Sequence, residues 1–163
     1  MKILFVRHAK AVEAADFDGA DLLRPLTLDG CKAARKAFRV LARFQKKPEI
    51  IVCSTAVRAR QTAEILAAEL AVERLIESSN LNPGARLDGL KAVLDEIPCN
   101  TKRLAVVGHE PDLSLMISAL VADGNLNIEI KKGACAEVEV ARDTFKGNLG
   151  LLEPAGVLRD LAN

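Results

Sequence analysis

Short, unbroken apolar runs alternate along this chain with stretches of helical periodicity. Ile3-Leu4-Phe5-Val6, Ile50-Ile51-Val52-Cys53 and Leu104-Ala105-Val106-Val107 contain no polar position. Runs of this length, rich in Val, Ile and Leu, read as strands covered on both faces, as in a parallel sheet. Strands are therefore expected over about 2–7, 50–53 and 103–108. A polar loop with Asp16, Asp18 and Asp21 follows the first and ends in Arg24-Pro25-Leu26-Thr27. Thr27 suits an N-cap, and Cys31, Ala34, Phe38 and Leu41 recur at helical spacing, which predicts a helix to about Lys46, stopped by Pro48. Ser54-Thr55 forms the turn and cap before a second helix over about 56–70, with Ile65, Leu66 and Leu70 inward. Asn82-Pro83-Gly84 is a turn; Leu87, Leu90, Val93 and Leu94 mark a short helix ending near Pro98; Pro111 falls in the first turn of a helix to about Val121. Runs at about 134–141 and 147–152 complete the sheet. Alternating strands and helices of this kind predict an α/β fold with a mainly parallel central sheet flanked by helices.

Length and composition narrow the picture further. At 163 residues the chain is expected to be one domain, 1–163, and a monomer. Its formal charge of +1 provides no field that would recruit nucleic acid or an anionic membrane. Trp and Tyr are absent, which argues against base-stacking platforms and aromatic cages. Cys31, Cys53, Cys99 and Cys135 form no C-x-x-C pair and no zinc spacing with a histidine, so they read as buried thiols of a reducing compartment. The apolar stretch before Arg7 is too short for a signal peptide and no run reaches transmembrane length, so the expected location is cytoplasmic.

The chemistry is concentrated at strand ends. The chain has two histidines, and each closes an apolar run: Arg7-His8 after the first and Gly108-His109 after the third. Ser54 closes the second, with Arg58 one helical turn on. Ligands of open α/β sheets bind beyond the carboxyl ends of the strands. Each residue alone reads as a surface charge, a cap or a structural histidine. Together, two arginines, two histidines and two helix N-termini make a cationic site suited to a tetrahedral dianion such as phosphate.

The motifs resemble those of the histidine phosphatase superfamily. Leu4-Phe5-Val6-Arg7-His8-Ala9 is similar to its Arg-His-Gly signature. Cys53-Ser54-Thr55-Ala56-Val57-Arg58-Ala59-Arg60-Gln61-Thr62 is similar to its Ser-Pro-x-x-Arg-Ala-x-Gln-Thr motif, and Val107-Gly108-His109-Glu110-Pro111 to its third. Asp21-x-x-Arg24-Pro25-Leu26-Thr27-x-x-Gly30 resembles the compact SixA-type phosphohistidine phosphatases. The resemblance implies that neutral His8 attacks phosphorus, that Arg7 and Arg58 clamp the phosphoryl oxygens and disfavour a second proton on His8, and that His109, protonated when phosphate is bound, adds a donor. It further implies contacts to substrate from Arg24 and from the Glu110 backbone N–H, with no metal or cofactor.

Three positions depart from that pattern. Ala9 replaces Gly and is expected to keep an ordinary backbone conformation. Thr55 replaces Pro, a minor change. Leu81-Asn82-Pro83-Gly84 has no carboxylate where many relatives carry a general-acid Glu; Asp21 and Glu110 are the substitutes, Asp21 reading more readily as an arginine-paired loop residue. A labile P–N bond needs an acid less than a phosphomonoester does. The resemblance, the missing acid and the short chain therefore point to a phosphohistidine-bearing protein as substrate, ahead of a general small-molecule phosphomonoesterase or a phosphate-binding module without turnover. Lys131-Lys132-Gly133-Ala134, after the third motif, reads first as a solvated turn and second as a flank of the pocket that touches substrate, and Glu153–Asn163 as a tail of no clear role.

Overall fold

A computed structural model describes residues 1–160. Its strands are β1 (Lys2–Arg7), β2 (Ile50–Cys53), β3 (Leu75–Glu77), β4 (Arg103–Gly108), β5 (Cys135–Ala141) and β6 (Lys146–Glu153). The helices are α1 (Leu28–Leu41), α2 (Val57–Leu70), α3 (Leu87–Glu96), α4 (Asp112–Ala122) and α5 (Ala155–Asp160). The strands form one sheet in the order β3-β2-β4-β1-β5-β6. The first four in that order are mutually parallel; β5 and β6 add antiparallel to β1 and to each other. The mainly parallel α/β reading therefore holds.

Both faces of the sheet are covered, which is why the central strands can be wholly apolar. On one face Leu4, Val6, Ile51, Cys53, Ala105 and Val107 pack with α1 and α2 through Ala34, Phe38, Ala63 and Leu66. On the other, Ile3, Phe5, Val52, Leu104 and Val106 pack with α3 and α4 through Leu90, Leu94, Met116 and Ile117. Thr27 caps α1, its hydroxyl accepting from the Gly30 amide at 2.9 Å.

Several expectations are corrected. Helix α1 ends at Leu41 rather than Lys46: the Arg43 and Phe44 amides bond Val40 and Leu41 three residues back, tightening the chain out of the α-helix. Pro111 is the N-cap of α4, just outside its first turn. Strand β3 was not expected; it is a short edge strand with no buried residue. Cys53 and Cys135 are buried, Cys31 is half-buried and Cys99 is exposed. The stretch after Glu153 begins with α5, whose Leu158 is fully buried with the α1 and α2 side chains; residues 161–163 lie outside the described residues. Among the described residues no helix is long and apolar enough to cross a membrane.

Candidate active site

Register brings the three strand ends together. Arg7 of β1 lies opposite Gly108 of β4, and Cys53 of β2 lies opposite Val107. The ladder continues one step, His8 N–H bonding the Gly108 carbonyl at 3.0 Å and Ser54 N–H the Val107 carbonyl at 3.0 Å. His8, Ser54 and His109 therefore share one edge of the sheet. The two imidazoles are buried, with centroids 5.2 Å apart.

The His8 ring has a defined tautomer. Its Nδ1 lies 2.8 Å from the Ala9 carbonyl oxygen, which can only accept, so Nδ1 carries the hydrogen and Nε2 keeps its lone pair. Burial above all, then the Arg58, Arg7 and Lys132 charges, lower the His8 pKa to about 4, against the raising effect of the Ala9 bond. The expected neutral imidazole is thus produced chiefly by desolvation. Ala9 has no positive φ, as expected; its amide donates to Thr62 Oγ1 at 3.1 Å.

Arg58 reaches the same edge from the first turn of α2. It is 3% exposed, and it donates through Nη1 to the Asp21 carbonyl (2.7 Å) and through Nη2 to Asp21 Oδ2 (2.8 Å). Arg7 donates to the Ile130 carbonyl at 2.8 Å. Among the described residues, the Nε groups of both arginines are buried without a partner. Buried unpaired donors are costly, and those of two cations beside His8 are what an incoming anion would satisfy. Arg24 joins the site indirectly. Its Nε and Nη2 both donate to Asp21 Oδ1, at 2.9 and 2.8 Å, and its Nη1 to the Val12 carbonyl.

Asp21 is consequently the shared counter-ion of two arginines. The Arg24 hydrogen bond, then Arg58, hold its pKa below the ordinary value, so it is no proton donor at neutral pH. Glu110 moves the other way, raised chiefly by burial. Burial, with the His8 and Arg58 charges, lowers the His109 pKa to about 3, against the opposing Asp21 charge.

Two contributors were missed at the level of sequence. Asn82 Oδ1 accepts from Ser54 Oγ at 2.8 Å, and Ser54 Oγ lies 2.9 Å from His109 Nε2. The Gly133 amide bonds the Arg7 and His8 carbonyls, both at 3.2 Å, from a φ of +76° that favours glycine. The turn read as solvated therefore supports the backbone of His8, and its Lys132 pairs with Glu13 at 3.2 Å. The place of this turn after the third motif was the signal for it in the sequence.

Residues 3–82 match the model of the histidine phosphatase superfamily (branch 1). The chain belongs to the histidine phosphatase superfamily. This histidine phosphatase is 34% identical over 121 residues to an uncharacterized protein of Picosynechococcus sp., covering 74% of this chain and 73% of that one. Its fold is similar to that of the protein histidine phosphatase SixA complexed with tungstate, with a TM-score of 0.86 at 22% identity over 97% of this chain and 99% of the other. The fold is also similar to that of the α-ribazole phosphatase from Shigella flexneri, with a TM-score of 0.75 at 15% identity over 95% and 97% of the two chains.

Proposed function

We propose that this protein is a phosphatase that works through a phospho-His8 intermediate and takes phosphohistidine on a protein as its substrate. The observation that carries the reading is a neutral imidazole, its Nδ1 tied to the Ala9 carbonyl, beside buried Arg58 and half-buried Arg7, whose Nε donors are buried and find no partner among the described residues. His8 Nε2 attacks phosphorus in line on a phosphohistidine whose other ring nitrogen carries a proton; the bond from phosphorus to the leaving nitrogen breaks, its electron pair stays on that nitrogen, and the ring departs as neutral imidazole. Arg7 and Arg58 hold the equatorial oxygens, over which the charge of the transition state is spread. Water then attacks phosphorus, the bond to Nε2 breaks, and phosphate leaves with His8 restored. His109 becomes cationic when the dianion binds, because a doubly negative neighbour offsets the effects that hold it neutral.

The choice of phosphohistidine rests on the acid. Asp21 is held ionised by Arg24 and Arg58, and the stretch Leu81-Asn82-Pro83-Gly84 has no carboxylate. With Asp21 ionised, the site favours a leaving group that needs little acid assistance, and imidazole leaves more easily than an alkoxide. The likeness to SixA supports the same reading, and the oxyanion in that structure suits a site of this charge. The likeness to α-ribazole phosphatase favours a small phosphomonoester instead. A panel of phosphohistidine protein, sugar phosphates and nucleotides, compared by kcat/KM, separates the two. Phosphohistidine protein should lead by at least roughly tenfold, which is about 1.4 kcal/mol of transition-state stabilisation; a sugar phosphate in that place would defeat the substrate assignment.

A further inference from the structure

We infer that Asn82 is a positioning residue that acts through Ser54 to fix the hydrogen of His109 on Nε2, so that His109 and His8 hold opposite tautomers. The inference follows from donor and acceptor identities. Thr55 N–H lies 3.0 Å from the Asn82 side chain and can only donate, so the atom facing it is Oδ1. The same oxygen receives the Thr55 hydroxyl at 2.9 Å and the Ser54 hydroxyl at 2.8 Å. The single Ser54 hydroxyl hydrogen is thereby assigned to Asn82. Ser54 Oγ is left as an acceptor, taking the Ala56 amide at 3.1 Å, and its remaining neighbour is His109 Nε2 at 2.9 Å. That contact is a hydrogen bond only if Nε2 carries the hydrogen. The neutral ring then has a bare Nδ1, and Nδ1 is buried with no partner among the described residues. His8 is the mirror case, with its hydrogen on Nδ1.

The relay is anchored in the fold. Asp112, buried at the start of α4, accepts from the Gly84 amide at 2.8 Å and from Arg86 Nη1 at 2.7 Å, which fixes the turn carrying Asn82. A residue of the turn after β3 thus governs the second histidine. Any proton that His109 gains must enter at Nδ1. The charges that bear on that step are His8 at the end of β1, Arg58 of α2, and Asp21 and Arg24 of the loop between β1 and α1. The kinetic consequence rests on the phosphatase reading; the tautomer does not.

Two histidines make a simple spectrum. In protein labelled with ¹⁵N-histidine, at neutral pH and without oxyanion, one ring should show hydrogen on Nδ1 (His8) and the other on Nε2 (His109). Asn82→Leu frees the Ser54 hydroxyl and should shift His109 away from the pure Nε2–H form while His8 keeps its signal. Asn82→Asp retains the acceptor, should keep the Nε2–H form, and should raise the His109 pKa. Ser54→Ala removes the link itself and serves if Asn82→Leu fails to fold. In the kinetic arm, Asn82→Leu should lower kcat/KM roughly 10–100-fold, the range seen when the partner behind a ligand histidine is removed. A wild-type His109 with hydrogen on Nδ1, or folded Asn82→Leu and Ser54→Ala variants with an unchanged His109, would overturn the inference. Opposite tautomers in a wild-type protein that never phosphorylates His8 would instead remove the phosphatase reading and leave the relay standing.

Discussion

Acidification should destabilise this protein through its two histidines. An unfolded histidine titrates near 6.5, whereas in the fold His8 titrates at about 4 and His109 at about 3. At pH 5 the unfolded chain therefore binds two protons that the native state refuses. A histidine held neutral by burial contributes its full stability only above pH 6.5, and loses it as the pH falls toward the native values. At pH 5 the loss is about 2 kcal/mol for each ring and about 4 kcal/mol for both, a large share of the roughly 5–15 kcal/mol typical of a domain. The assay is urea unfolding at pH 8 and pH 5, on wild type and on a His8→Asn, His109→Asn double variant. Carboxylates common to both proteins cancel in the comparison, Glu110 included. Wild type should lose about 4 kcal/mol more than the double variant between the two pH values. Equal losses would refute the claim that burial and the neighbouring arginines hold both rings neutral.

Asp21→Asn removes the charge that orients Arg58 and Arg24 while leaving the Asp21 carbonyl contact to Arg58 in place. kcat/KM should fall roughly 10–100-fold, the scale of a misplaced clamp, with the alkaline limb of the pH profile retained; loss of that limb would make Asp21 the proton donor after all. Gly30→Ala would drive a Cβ into the Lys10 carbonyl oxygen, which the Thr27 amide already holds at 3.0 Å. Thermal unfolding should show a loss of about 1–3 kcal/mol, the usual cost of overpacking, and an unchanged midpoint would show that the contact yields freely.

The sheet was legible because its central strands are covered on both faces and so appear as uninterrupted apolar runs. The same runs located His8, Ser54 and His109, since register alone brings strand ends to one edge. Arg58 was legible from its spacing after Ser54. Strand β3 was not: with no buried residue, it carries no burial pattern to read. The end of α1 was overestimated because Pro48 marks where a helix must have stopped, not where its hydrogen bonds lapse. Asn82 was read as part of a turn in a stretch without a carboxylate. Its role depends on partners 28 residues away in Ser54 and, through it, a further 55 to His109, and neither periodicity nor local turn chemistry reports pairings at that range. Asp21 was legible as an arginine-paired loop residue, its main partner Arg24 lying three residues on, whereas its second partner, Arg58, lies 37 residues on.

The central claim is a covalent phosphoryl bond to His8 Nε2. Rapid quenching of wild-type enzyme with a ³²P-labelled phosphoramidate, followed by digestion under alkaline conditions that preserve phosphohistidine, locates that bond directly. The account predicts label on the peptide containing His8, formed at least as fast as turnover, and neither label nor turnover in His8→Ala. Label on His109, or full turnover by His8→Ala, would contradict it.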